Sequence, residues 1–326
     1  MVACAIALLF ASTASGATIL TPYNAIVSGN FTDNSADMGG GLAAGGSIYV
    51  PNNWTVANSL GNESLSAFTN STTLNVVGSV YQYGTTTAGH INLTQGNYWI
   101  GGSGTSSGTK ETATQVNFTT AFQNFDDAAA STALLAQTSG DSATIVNNYL
   151  TIAVTHTGLN VITVNAADLA AADGIKFDFS SGVTYATLSG DGNAWVELNV
   201  AGTTIQYTAS NWGVYACDAN GGNCVSQTAN AAYLAEDVLY NFYQATTVNV
   251  TSGGNIVVGT FLAPYADVTD SSGQEFVGSL IAKSFVGNNE FHNFAFTGPI
   301  VPEPAPFAGV GLGLLGLAYI RKRRRA

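Results

Sequence analysis

Val258-Gly259-Thr260-Phe261-Leu262-Ala263 is answered nineteen residues later by Val277-Gly278-Ser279-Leu280-Ile281-Ala282. Each copy sets a glycine and a hydroxyl residue ahead of an apolar run. Gly46-Ser47-Ile48 and Gly78-Ser79-Val80 show the same order earlier in the chain. A period of about 20 residues is the length of one coil of a β-solenoid, in which short strands stack into sheets and turn at Gly, Asn or Asp. The reading is a mainly β chain with a β-solenoid, or β-helix-like, body. Its coils bury a narrow Val/Ile/Leu/Ala core and present flat polar outer faces. Further strands are expected at Tyr149–Val154, Leu159–Val164, Ile175–Phe179, Val183–Leu188 and Ala194–Val200.

One segment departs from this pattern. Residues 113–139 contain no Pro or Gly. Phe118, Ala121, Phe122, Phe125, Ala129, Thr132 and Ala136 recur there at three- and four-residue steps, which is one face of a helix. A single helix over 113–139, stopped by Gly140, is expected to pack along the β body.

Both ends read as targeting segments. Val2 to Phe10 is nearly all apolar, and small residues follow to Ala17. That is an export signal over residues 1–17, cleaved near Gly16 or Ala17. No Lys or Arg precedes the apolar run, which a start upstream of Met1 would explain. At the other end come Pro302-Glu303-Pro304, then an uncharged run from Ala305 to Ile320, then Arg321, Lys322, Arg323, Arg324 and Arg325. The run is short for a membrane-spanning helix of about 20 residues, but Tyr319 and a snorkelling Arg321 extend its reach. Basic residues stay cytoplasmic, so the body before the run faces outward, and the cluster acts as a membrane stop signal.

Pro-Glu-Pro, a Gly/Leu-rich helix and an Arg cluster in that order resemble the PEP-CTERM sorting signal. The resemblance covers residues 301–326. It implies that Pro302, Glu303 and Pro304 are recognised by an exosortase-type sorting protease as part of its substrate. It also implies display at the cell surface or in the extracellular matrix after processing. The competing explanation is a plain C-terminal membrane helix.

The body, residues 18–300, resembles a second family. The stretches that carry this are Asn24-Ala25-Ile26-Val27-Ser28-Gly29-Asn30-Phe31, Gly41 to Gly46, Val238-Leu239-Tyr240-Asn241-Phe242, Gly259 to Pro264, and Gly278 to Lys283 with Phe296-Thr297-Gly298. Together they are similar to the choice-of-anchor A domain of bacterial surface proteins. That family is similar in turn to ice-binding-like adhesive domains, which pair a β-solenoid with one long helix. The resemblance implies adhesion or a matrix role and brings no catalytic residues.

Charge bounds the partners. Between residues 17 and 301 there are three Lys (Lys110, Lys176 and Lys283), no Arg and nineteen acids, a net of −16. Such a surface repels nucleic acid. Exopolysaccharide or another surface ligand is the expected partner.

Catalytic and cofactor chemistry finds little support. His90, His156 and His292 lack metal-ligand spacing. No nucleophile elbow or phosphate loop is present. Asp168, Asp173, Asp178, Asp191 and Glu197 are the candidate acids for a carbohydrate-active enzyme, which is the first alternative to adhesion. Asp33-Asn34-Ser35-Ala36-Asp37 alternates oxygen side chains but lacks the glycine and glutamate of an EF-hand. No metal or other cofactor is expected. Cys217 and Cys224 flank a turn-rich loop, and in an oxidising compartment they form a disulfide. A two-Cys metal site would lack a neighbouring His. Trp54, Trp99, Trp195 and Trp212 are candidates for stacking on sugars, with core packing as the competing reading for each. Ice binding, the second alternative, calls for ranked threonines, whereas Thr72-Thr73 and Thr85-Thr86-Thr87 are only local runs.

Overall fold

The computed structural model describes residues 23–300 except 35–36, 52–53, 58–71, 83–86, 95, 188–189, 209–211, 220–221, 229–232 and 252–255. The segments read as an export signal and a sorting signal lie outside these residues. No helix among the described residues is long and apolar enough to cross a membrane.

The 19-residue offset is the register of two adjacent coils. Phe261 pairs with Leu280, Leu262 with Ile281 and Ala263 with Ala282, in parallel. Each coil passes through three faces. On the first face the strands run Asn97–Ile100, Thr72–Val76, Gly41–Ala44, Tyr23–Val27, Leu280–Gly287, Thr260–Asp270, Val238–Asn241, Ala194–Ala201 and Gly158–Asn165. The second face orders Val80–Gln82, Ile48–Val50, Phe31–Asp33, the distal halves of Leu280–Gly287 and Thr260–Asp270, then Thr247–Val250 and Thr204–Tyr207. The third face is a seven-stranded sheet from Thr105–Ser106 to Val257–Val258. At one end stands a five-stranded sheet of Ser142–Val146, Tyr149–Val154, Gly174–Phe179, Gly213–Cys217 and Cys224–Gln227, parallel inside and antiparallel at both edges.

Coil order does not follow chain order. The first strand, Tyr23–Val27, lies beside the last long one, with Ala25 opposite Leu280. Asn24 clasps this seam. Its buried amide donates to the carbonyls of Gly278 (2.5 Å) and His292 (3.1 Å), while its Oδ1 accepts from Gly40 N. Inside, Phe31, Phe285, Phe291, Phe276, Phe261 and Phe242 form a chain of ring contacts with centroids 5.0 to 5.3 Å apart.

The glycine–hydroxyl motifs mark two different corners, so the four copies are not one repeat. Gly46 and Gly78 lie between the first and second faces. Gly46 N donates to Gly29 O and Gly78 N to Gly46 O, both at 2.8 Å, and a Cβ on Gly78 would sit 2.7 Å from Gly46 O. The hydroxyl beside each glycine accepts the amide of the next coil. Ser47 Oγ takes Ser79 N (3.1 Å), and Ser79 Oγ takes Ser103 N (2.9 Å). Gly259 and Gly278 instead join the third face to the first. Gly278 has φ 141° and would drive a Cβ into Gly259 O.

Helix α1 runs Phe118–Ala133, shorter than the expected 113–139. The absence of Pro and Gly was not enough, because polar groups claim the flanking backbone. Asn75 Oδ1 accepts from Gln115 N and Thr114 Oγ1, and Asn117 caps the helix through Thr120 N. Past the other end, Thr138 N donates to Val161 O and Thr138 Oγ1 accepts from Val161 N. Phe122, Phe125, Ala129 and Thr132 are buried as the stripe expected, whereas Ala136 lies beyond the helix. The helix covers the outer side of the first face, packing on Ile26, Ala43, Leu239, Leu262 and Ile281. Asn241 and Asn199 amides rise from the sheet and donate to the Ala129 and Thr132 carbonyls near the end of the helix.

Four of the five expected strands form: Tyr149–Val154, Gly158–Asn165, Gly174–Phe179 and Ala194–Ala201. Residues 183–187 do not. Thr184 N donates to Asn193 Oδ1, Ala186 N to Asp237 Oδ2 and Thr187 N to Gly190 O, so these amides are spent on side chains and a turn.

Candidate functional site

α1 seals the outer side of the first face. Among the described residues no helix or strand lies over the second face, and α2 (Ala166–Ala171) closes only its end beside Thr204–Tyr207. Alternation along each strand divides the residues. Val80, Ile48, Phe31, Phe285, Val268, Val248 and Ile205 point inward and are buried. The residues after them, Tyr81, Tyr49, Thr32, Val286, Thr269, Asn249 and Gln206, form one outward row. At about 4.8 Å per strand this row spans roughly 29 Å. Tyr49 and Tyr81 stack with centroids 5.1 Å apart. Val286 is 51% exposed. A second row holds Ser284, Asp267, Thr247 and Thr204. Asp267 takes Lys283 Nζ at 2.8 Å and Ser284 Oγ at 2.6 Å, and these bonds hold its carboxyl below the ordinary range. The face is long and chemically mixed, suited to many weak contacts along an extended partner.

A second feature is a cleft of about 240 Å³ lined by Asp191, Gly192, Trp195, Glu236, Asp237 and Thr297. Burial pushes Asp237 up to about 7, opposed by the Ala186 amide and reinforced by Glu236 and Asp191. Glu236 is raised by burial and by Asp191. Trp195 Nε1 donates to Thr297 Oγ1 at 3.2 Å, fixing the indole as a wall. The volume is below the usual ~300–1,000 Å³ of small-molecule sites.

The five candidate acids do not converge. Asp168 is in α2, Asp173 precedes a strand of the five-stranded sheet, and Asp178 lies near Cys217 and Cys224. Asp191 is in the cleft, and Glu197 is fully buried beneath α1. The acids that do join Asp191, Glu236 and Asp237, were missed; their adjacency just before Val238 was the available signal. Among the described residues the grouping with metal-ligand spacing is Asp178, Cys217 and Cys224, and its two sulfurs are bonded to each other. His90 bonds Thr105, His156 sits 3.7 Å from Asp141, and His292 is buried 3.9 Å from Glu290. Asp33 is buried and accepts from Asn289 N, holding two segments together. Trp54 is core, Trp99 and Trp195 are half-buried, and Trp212 is 43% exposed.

A family model for the ice-binding-like adhesive domain matches residues 16–293. The chain belongs to this family. No curated protein matches the chain. Among solved structures it is similar to an ice-binding protein from an Arctic yeast, with 15% identity, 90% of this chain and 97% of that one covered, and a TM-score of 0.35. It is similar also to an ice-binding protein of Shewanella frigidimarina, with 10% identity, 88% and 99% covered, and a TM-score of 0.34. The family match agrees with the choice-of-anchor A resemblance. Pro302, Glu303, Pro304 and Arg321 to Arg325 fall beyond the matched ice-binding-like adhesive domain and beyond the described residues.

Proposed function

We propose that this protein is an exported adhesion module that holds an extended extracellular polymer, an exopolysaccharide of the matrix, against its second face. The observation that carries this is the long row from Tyr81 to Gln206, over which no described helix or strand lies while α1 packs on the first face. In this reading the export signal delivers the body across the membrane. The C-terminal helix and Arg321 to Arg325 retain it until an exosortase-type protease acts at Pro302-Glu303-Pro304. The protein is a substrate of that enzyme and not itself an enzyme. The scattering of Asp168, Asp173, Asp178 and Glu197 and the small volume of the acidic cleft support this.

Family membership favours ice binding as a second reading. A mixed row with two tyrosines and a valine, beside a protruding Lys283–Asp267 pair, fits a regular ice lattice less well. Incubation of the protein with a polysaccharide panel separates the readings. Retention without cleavage is expected. Release of oligosaccharide products would establish the enzyme instead, and thermal hysteresis with no retention would establish ice binding.

A further inference from the structure

The five-stranded sheet at the end of the solenoid carries an aromatic corner that the adhesive face does not use. Tyr149 and Trp212 meet at 5.2 Å between ring centroids with planes 56° apart, and Tyr149 and Tyr215 meet edge to face at 5.9 Å. Trp212 is 43% exposed, and Val146, 49% exposed, pairs directly with Tyr149 and so shares its side of the sheet. The floor is built for this. Tyr149 pairs with Gly174, which pairs with Gly213. A Cβ on Gly174 would lie 2.5 and 2.8 Å from the Tyr149 ring, so only glycine lets that ring lie flat across the strand. The hairpin before Tyr149 turns through Asn147 (φ 51°) and Asn148 (φ 64°), the double left-handed turn that fixes strand register. Asn148 Nδ2 also holds Asp173 Oδ2 at 3.3 Å, and Trp212 N donates to Asp173 O at 2.6 Å. Loop and ring are therefore set before any partner arrives.

We infer that this corner is a binding site for an uncharged pyranose of a polysaccharide, stacked on Trp212 beside Tyr149. One face of a pyranose presents polarised C–H bonds, which suit the negative face of an aromatic ring. Its rim of hydroxyls needs mixed donors and acceptors, and Lys176 and Asp173 flank the corner. Lys176 Nζ sits 4.1 Å above the Tyr149 ring and also pulls on Asp178, so it is already engaged. With Asp173 beside that one ammonium, and nineteen acids against three Lys between residues 17 and 301, acidic sugars are repelled. An apolar protein partner would want a larger unbroken patch. The site is independent of the second face and does not require that face to be adhesive.

The test is calorimetric titration of the full chain with cellohexaose, laminarihexaose and mannohexaose, and with trigalacturonate as the acidic probe. At least one neutral hexasaccharide is expected to bind near ~1 mM, as a single shallow platform should. Trp212→Ala should weaken it at least tenfold with unchanged thermal melting, Trp212→Phe should keep part of it, and Tyr49→Ala on the second face should leave it intact. Trigalacturonate should not bind. Absence of binding by all three neutral sugars, equal binding by Trp212→Ala, or preference for trigalacturonate would each overturn the proposal. Loss in Tyr49→Ala alone would move the sugar site to the second face.

Discussion

Glu197 shows how one residue couples this fold to pH. It lies on the outer side of the first face between Val161 and Leu239, fully buried beneath α1. Burial pushes its carboxyl up to about 7, against a smaller downward pull from the Thr132 and Asn199 side chains. The folded state then binds a proton more tightly than the unfolded chain. Its contribution is fully present below the ordinary glutamate value of 4.5, falls as pH rises, and is lost above about 7. Glu197→Gln should therefore stabilise the protein at pH 8 by on the order of 3 kcal/mol and change little at pH 4. Urea melts at the two pH values check this. An equal effect at both would show that Glu197 ionises normally. The sequence marked Glu197 only as one of five acids. Its isolation follows from Trp195, Glu197 and Asn199 sharing the side of their strand that α1 covers, and no local pattern announces where the helix will lie.

At the scale of elements, α1 was legible because its stripe of Phe122, Phe125 and Ala129 must be buried somewhere. Its ends were not legible, because they depend on Asn75 and Val161, which are distant in sequence. Phe125→Ala should cost about 3 kcal/mol in a urea melt, as large-to-small changes at buried Phe do. Leu134→Ala, just past the helix and 81% exposed, should stay within about 0.5 kcal/mol. Equal costs would mean that the helix is not held by its aromatic face. The proposed sorting segment is read from chemistry alone. Proline disfavours helix, and that is the sequence ground for proposing Pro302, Glu303 and Pro304 as a recognition signal. Alanine at Pro302, Glu303 and Pro304 should leave export intact and accumulate an unprocessed, membrane-held form in a host with the sorting enzyme. Normal processing and display of that variant would replace the sorting signal with a plain membrane helix.

For the whole molecule, the 19-residue offset between Phe261 and Leu280 revealed a solenoid because those strands belong to consecutive coils. The non-sequential order left no such trace. Ala25 and Leu280 pair across nearly the full chain, and Asn24 bonds Gly278 over 254 residues, so the N-terminal coils dock only when the last coil exists. Contacts of that separation make folding slow. The arrangement also joins coils from both ends of the chain into one second face, with Phe31–Asp33 pairing Ile48–Val50 on one side and Leu280–Gly287 on the other. Adhesion through that joined face is the central claim, and it is tested by a face variant carrying Tyr49→Ala, Tyr81→Ala and Val286→Asp. Retention on immobilised matrix exopolysaccharide through a wash is compared between this variant and the parent, with thermal melting as the folding control. The account predicts at least a tenfold loss of retention with unchanged melting, since the Trp212 corner alone is too weak to survive the wash. Undiminished retention by a folded variant would contradict it.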